Sequence, residues 1–244
     1  MTFRVLENLE SRMLTALLKS TVKMNNKKAI IFDFGGVLID LDIEDCKAFF
    51  KRELGYEKID DVLDPCHQKG IIGDLEEGMI SADEFRAEVL KDSRPDARPE
   101  QVDAAFMHIL AGIPSYKGPL LNHLAESYEL YILSNNNPIV APHMPELFAG
   151  VGVDFKNLFK KSFLSFEMKA LKPSREFYKR VLEQIELPAD QLLFIDDSQK
   201  NVEGAIEAGL PSVYYDPSTD LAALLAEVLG DPSLAAYGLE NMEA

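Results

Sequence analysis

Tryptophan is absent from these 244 residues, and cysteine and histidine are scarce, with two of one and four of the other. Cys46 and Cys66 stand outside any zinc-like cluster, so both read as reduced thiols on helices rather than as a disulfide or a metal site. His67, His108, His123 and His143 show no ligand spacing. Positive charge is also in deficit: 25 Lys and Arg face 41 Asp and Glu, for a net charge of −16. That field repels nucleic acid and anionic membranes, so neither is expected as a partner. A phosphorylated ligand would need strong local positive charge. No apolar run approaches membrane-spanning length, and the interrupted, acid-bearing apolar stretch near the N-terminus does not read as a signal peptide. The expectation is a cytoplasmic protein, monomer or homodimer.

Apolar residues make up 47% of the chain and charged ones 27%, enough to bury a substantial core without wholesale disorder. Short apolar runs at 29–33, 129–134, 192–196 and 211–215 read as buried strands, with 161–165 a weaker one. Amphipathic helices lie between them: Phe177, Val181, Leu182 and Ile185 share one face, as do Val202, Ala205 and Ile206, and Leu221, Leu224, Leu225 and Val228. Pro119 and Pro173 suit first helical turns, and Gly209 suits a helix end. Strands alternating with helices predict an α/β fold with a parallel sheet covered on both faces. Residues 43–113 break the alternation and read as helix after helix, with a capping-box signature at Ser81 and Glu84. The expected division is an N-terminal extension over 1–26, a core over 27–42 and 114–230, a helical insertion over 43–113, and a tail or small docked extension over 231–244. Met24, just before the first strand, is an alternative start.

Four polar segments fall at predicted strand ends or helix starts. Asp33 follows Ala29-Ile30-Ile31-Phe32 and precedes the turn glycines Gly35 and Gly36. Ser134-Asn135-Asn136 ends Tyr131-Ile132-Leu133, Lys172-Pro173 is expected to open a helix, and Asp196-Asp197 ends Leu192-Leu193-Phe194-Ile195. Ligands of an open parallel sheet bind outside the carboxyl ends of its strands. An aspartate there can act as a nucleophile toward an electrophilic centre. A serine hydroxyl and backbone N–H groups can hold phosphoryl oxygens, and a lysine can neutralise developing charge. Crowded carboxylates repel unless a cation or proton intervenes, and with Asp33 they form an oxygen-rich site suited to Mg²⁺.

In order, Phe32-Asp33-Phe34-Gly35-Gly36-Val37, Leu133-Ser134-Asn135, Lys172-Pro173 and Phe194-Ile195-Asp196-Asp197-Ser198 resemble the four motifs of the haloacid dehalogenase-like hydrolase superfamily. The resemblance spans residues 28–229. It implies a Rossmann-like doubly wound parallel sheet with an inserted helical cap domain, and a Mg²⁺-dependent phosphatase acting on a small phosphorylated metabolite through an aspartyl-phosphate. Carried over residue by residue, Asp33 is the nucleophile and a metal ligand, and Lys172 bridges nucleophile and phosphate. Ser134 and the Asn135 backbone bind phosphate. Asp197 ligates the metal, Asp196 binds the metal or one of its waters, and Gly35 offers its backbone carbonyl. The family's phosphatases usually carry a second aspartate at the position of Gly35, which protonates the leaving oxygen. Its absence suits good leaving groups such as hexose 1-phosphates, or a substitute acid such as Asp40, Asp42 or His67. A metal-independent 2-haloacid dehalogenase, which needs no such acid, and a non-catalytic binding protein are the competing readings.

Overall fold

The computed structural model describes residues 26–63 and 70–238. The N-terminal extension up to residue 25, Cys66, His67 and residues 239–244 lie outside the described residues.

A five-stranded parallel sheet in the order β5-β4-β1-β6-β7 organises the core. Its strands are β1 (Ala29–Phe32), β4 (Glu129–Ser134), β5 (Phe159–Leu164), β6 (Leu192–Asp196) and β7 (Ser212–Tyr214). The weakest of the expected strands is therefore present, beginning at Phe159 rather than 161. Period-2 alternation splits β1 between two apolar layers. Ile30 and Phe32 face one layer with Leu130, Ile132, Leu193 and Ile195. Ala29 and Ile31 face the other with Leu133, Leu192 and Phe194. Strands buried on both faces need apolar residues at nearly every position, which is why β1 and β6 are apolar runs up to their ends, whereas edge strand β5 carries exposed lysines.

The second layer is closed by the helix Arg175–Leu182, through Phe177, Tyr178 and Val181. The Ser174 hydroxyl caps this helix by accepting from the Phe177 N–H at 3.3 Å. Lys172-Pro173 was expected inside its first turn and instead lies ahead of the cap, in the loop. The first layer is closed by Lys117–Leu124 and Leu221–Leu229. Residues Pro232–Tyr237 pack back onto both of these helices, so this part of the C-terminal segment is docked.

Between β1 and β4 the chain makes an excursion. It leaves through β2 (Asp40–Leu41) and returns through β3 (Leu110–Gly112), which pair antiparallel. Residues 110–112 were expected within the helical segment. Strands this short give too few residues for a period-2 pattern to appear in sequence. Five α-helices lie between the two strands among the described residues: α1 (Ile43–Phe49), α2 (Ile59–Val62), α3 (Gly70–Glu76), α4 (Ala82–Lys91) and α5 (Pro99–Met107). The capping box forms as the sequence indicates, with the Ser81 N–H donating to the Glu84 carboxylate at 2.8 Å and the Glu84 N–H to the Ser81 hydroxyl at 3.2 Å. Phe106 receives Phe50 and Phe85 edge-on, at centroid distances of 6.3 and 5.7 Å. Cys46 is buried against α5, donating to the Ala105 carbonyl at 3.3 Å. Burial pushes its thiol up to about 12, so it stays a packed, reduced thiol.

Phe50 joins α1 to this aromatic cluster and is fully buried. Phe50→Ala is expected to cost about 3–5 kcal/mol, measured as a shift in the denaturant midpoint.

Candidate active site

Strand β1 lies between β4 and β6, so the chain moves to one side of it and later to the other. This is the switch point at which a crevice opens beyond the strand ends. The register aligns Phe32 with Ile132 and with Ile195, which brings Asp33, Ser134 and Asp196 to one rim. The Asp33 N–H continues the ladder, donating to the Ile195 carbonyl at 2.9 Å.

Lys172 reaches this rim from the loop before Ser174, and its ammonium is almost fully buried. Its Nζ lies 2.8 Å from Asp33 Oδ2 and 2.6 Å from Asp196 Oδ2, and donates to the Leu133 carbonyl at 3.1 Å. The loop is fixed by the Asn135 side chain. Asn135 Oδ1 accepts from the Lys172 N–H at 2.8 Å, and its Nδ2 donates to the Lys172 carbonyl at 3.1 Å. Only the Asn135 backbone was expected to matter. The side-chain clasp is a long-range contact, and no local pattern signals it.

Asp196 is fully buried and spent on protein donors. Besides Lys172, its carboxylate accepts from the Ser198 N–H at 2.8 Å and from Asn201 Nδ2 at 3.0 Å. Asp33 Oδ1 accepts from the Phe34 N–H at 2.6 Å. Asp33, Asp196 and Asp197 each offer an oxygen within 4.8 Å of the others. Three carboxylates against one ammonium leave two negative charges in a poorly hydrated place. The electrostatics follow from this. Burial pushes the Asp33 carboxyl well above its usual range, against the pull of Lys172 and with the help of Asp196 and Asp197. Burial and then Asp196 raise Asp197 to about 6. Burial opposes the Lys172 ammonium, but Asp196 and Asp33 outweigh it and hold its pKa above the ordinary value.

The two glycines after Asp33 differ in kind. Gly36 has φ +72°, and a Cβ on it would sit 2.0 Å from Asp197 Oδ2. It is more than a turn residue, because its bare backbone makes the space in which the Asp197 carboxylate lies. Gly35 has no left-handed backbone, and a Cβ there would meet only the Leu41 side chain, at 3.1 Å.

Above the rim is a cavity of about 270 Å³. Asp33, Ser134, Lys172 and Asp197 line its floor, and Leu41, Phe106, Ile109 and Leu110 much of its roof. Glu76, at the end of α3, is also in its wall. Sequence reasoning passed over this residue. Its one signal was an acid four residues after buried Ile72, hence on the apolar face of the helix. Of the substitute acids considered, neither Asp40 nor Asp42 lines the cavity. Asp40 approaches Lys117 at 3.5 Å, and Asp42 caps α1 by accepting from the Asp45 N–H at 2.8 Å.

A family profile described as haloacid dehalogenase-like hydrolase matches residues 27–209. The chain belongs to the haloacid dehalogenase-like hydrolase family. It is 32% identical over 205 residues to a D-ribitol-5-phosphate phosphatase of Bacteroides thetaiotaomicron, covering 83% of this chain and 98% of that protein. Among solved structures it resembles a family enzyme from Bacteroides thetaiotaomicron, crystallised as an alanine mutant with magnesium and inorganic phosphate. That match has 34% identity and a TM-score of 0.77, over 82% of this chain and 98% of the other. A family hydrolase from Porphyromonas gingivalis matches at 31% identity and a TM-score of 0.76, over 84% and 98% of the two chains. The α/β architecture and the assignment as a hydrolase are thereby settled for this chain. No helix among the described residues is long and apolar enough to cross a membrane.

In this hydrolase Gly36→Ala is expected to add about 1–2 kcal/mol of left-handed backbone strain and to push Asp197 out of the carboxylate cluster. Calorimetric titration with a divalent cation should show weakened binding, while Gly152→Ala, whose Cβ would meet nothing within 4 Å, should show only the backbone cost.

Proposed function

We propose that this hydrolase is a Mg²⁺-dependent phosphatase that passes the phosphoryl group of a small polyol or sugar phosphate to Asp33 and then to water. One observation carries the reading: the Lys172 ammonium is held between Asp33 and Asp196, with Asp197 beside them, at the floor of a cavity. The donor set fits the ion. Its oxygens are hard, and the uncompensated charge is that of one divalent cation. Asp33, Asp197 and the Gly35 carbonyl would hold Mg²⁺. Asp196, whose oxygens already serve Lys172, Ser198 and Asn201, would add its field and could hold the ion or one of its waters. When bound, the ion offsets the repulsion between the nucleophile and the phosphoryl oxygens.

The remaining chemistry belongs to side chains of this chain. Asp33 attacks phosphorus, and its orientation is set by the Phe34 N–H and by Lys172. Lys172 neutralises charge on both the nucleophile and the transferring group. The Ser134 hydroxyl and the Asn135 backbone N–H hold phosphoryl oxygens. Residues 27–42 and 114–230 form the core, and 43–113 act as a cap joined through the β2–β3 ribbon. The apolar roof of Leu41, Phe106, Ile109 and Leu110 keeps bulk water from the first step.

A cavity of about 270 Å³ is of a size to admit a short phosphorylated chain. The similar protein named above is a D-ribitol-5-phosphate phosphatase, which supports a polyol phosphate as substrate class. A hexose 1-phosphate belongs to the same class and is a second candidate substrate.

Phosphate release from ribitol 5-phosphate should require Mg²⁺, fall to background in EDTA and be lost in Asp33→Asn. Acid quenching during turnover should leave Asp33 phosphorylated, detectable by mass spectrometry. Undiminished turnover in EDTA or in Asp33→Asn would sink this reading, and halide release from a 2-haloacid in EDTA would favour dehalogenation.

A further inference from the structure

Hydrolysing an ester of an ordinary alcohol needs a proton for the departing oxygen, because an alkoxide leaves poorly from phosphorus. Gly35 cannot supply one. Asp40 and Asp42 are engaged elsewhere and stand outside the cavity. Among the described residues Glu76 remains, in the cavity wall contributed by the helical block.

Its placement is fixed from both sides. The Ser165 hydroxyl donates to the Glu76 carbonyl at 2.5 Å. Ser165 Oγ in turn accepts from the Asn136 N–H at 3.0 Å, in the loop that follows β4 and Ser134. One fully buried hydroxyl thus ties the end of α3 to the phosphate-facing loop. Two residues on, the Lys169 ammonium donates to the Gly78 carbonyl and adds a second tie. Gly78 has φ +69°, and a Cβ on it would lie 2.2 Å from the Phe166 carbonyl, so the approach of block and core depends on glycine there.

The Glu76 carboxyl has neither an ion pair nor a hydrogen bond among the described residues, although Lys172 lines the same cavity. An acid set half-buried in a cavity wall, with no partner among the described residues, is costly to ionise. Burial pushes it up to about 8, with the opposing pull of Lys172 the smaller effect. That upward shift favours the protonated form, and the residue lines the cavity in which the ester would sit.

We propose that Glu76 is the general acid and base of this reaction, supplied by the helical block where Gly35 provides no side chain. The proposal rests on the phosphatase reading above. In the first step a bond forms between an Asp33 oxygen and phosphorus while the bond from phosphorus to the substrate oxygen breaks. The Glu76 proton moves to that oxygen, so an alcohol leaves and Glu76 becomes a carboxylate. In the second step the Glu76 carboxylate takes a proton from water as the water oxygen bonds to phosphorus. The bond between phosphorus and Asp33 breaks, inorganic phosphate departs, and both residues return to their starting states.

The test compares wild type, Glu76→Gln and Asp33→Asn, all with Mg²⁺, on two esters: ribitol 5-phosphate and p-nitrophenyl phosphate. The aryl ester needs no proton to leave, whereas the alkyl ester does. Glu76→Gln should lose about 10²–10⁴-fold in kcat on the alkyl ester. On the aryl ester it should give a burst of one p-nitrophenolate per active site followed by slow turnover, because the aspartyl-phosphate then waits for a base. The contrast between esters is read within one preparation, so a partly unfolded variant cannot mimic it. The proposal is overturned if Glu76→Gln turns over the alkyl ester at the wild-type rate. It is equally overturned if the variant loses phosphorylation by both esters alike, or if it changes KM alone, since Glu76 would then only hold substrate. A wild-type enzyme inactive on both esters would overturn the phosphatase reading and this proposal together. Activity in the wild type that vanishes in Asp33→Asn keeps the former while the variant at Glu76 decides the latter.

Discussion

The Lys172 ammonium, buried between Asp33 and Asp196, is the interaction on which the site depends. Burying a charge is costly, and the cost is offset only when the geometry is close and every proton has an acceptor. Here Asp33, Asp196 and the Leu133 carbonyl take the three protons, one from each of the three central strand ends. The ammonium therefore gauges the alignment of β1, β4 and β6. A shift of one strand would leave it, or a carboxylate, buried and unpaired. The Asn135 clasp on the Lys172 backbone and the Ser198 and Asn201 donors to Asp196 hold the remaining degrees of freedom.

That arrangement is deliberately short of positive charge. Asp197 has no ammonium of its own, and the bare backbone at Gly36 lets its carboxylate lie against the loop after Asp33. The cluster is stable in its ionised form only with a cation or a proton present. The strongly acidic surface makes the same point on a larger scale. A phosphate ester, if the proposed function holds, would be held by a few local groups and not by the overall field.

The helical block completes the site from outside the sheet. Leu41, Phe106, Ile109 and Leu110 make a roof that is mostly apolar, with Glu76 as its one acid among the described residues, and Ser165 and Lys169 tie the end of α3 to the core. The floor carries the groups that would hold and receive a phosphoryl unit. On the proposed reading the roof would determine which ester fits beneath it and how its oxygen leaves. The block joins the core through one short ribbon and these ties, while packing around Phe50 and Phe106 holds its own helices together.

Much of this could be read along the chain. Unbroken apolar runs marked the central strands because strands buried on both faces can hold nothing else. The polar residues at the ends of those runs, Asp33, Ser134 and the Asp196-Asp197 pair, were legible for the same reason: a charge at the edge of an apolar run has to lie at the rim. The sequence alone also located the helical block, through its 3.6-residue periodicity and the Ser81–Glu84 cap. Contacts between distant segments were not legible. The pairing of β2 with β3 joins residues about seventy apart in strands too short to show a period. The Asn135 clasp, the space that Gly36 leaves for Asp197 and the entry of Glu76 into the cavity all depend on how elements meet. Local sequence determines what a segment can form and which residues lie at its ends. Only tertiary packing decided which of those ends share a pocket, because that is a matter of distance in space and of which charges are left without water.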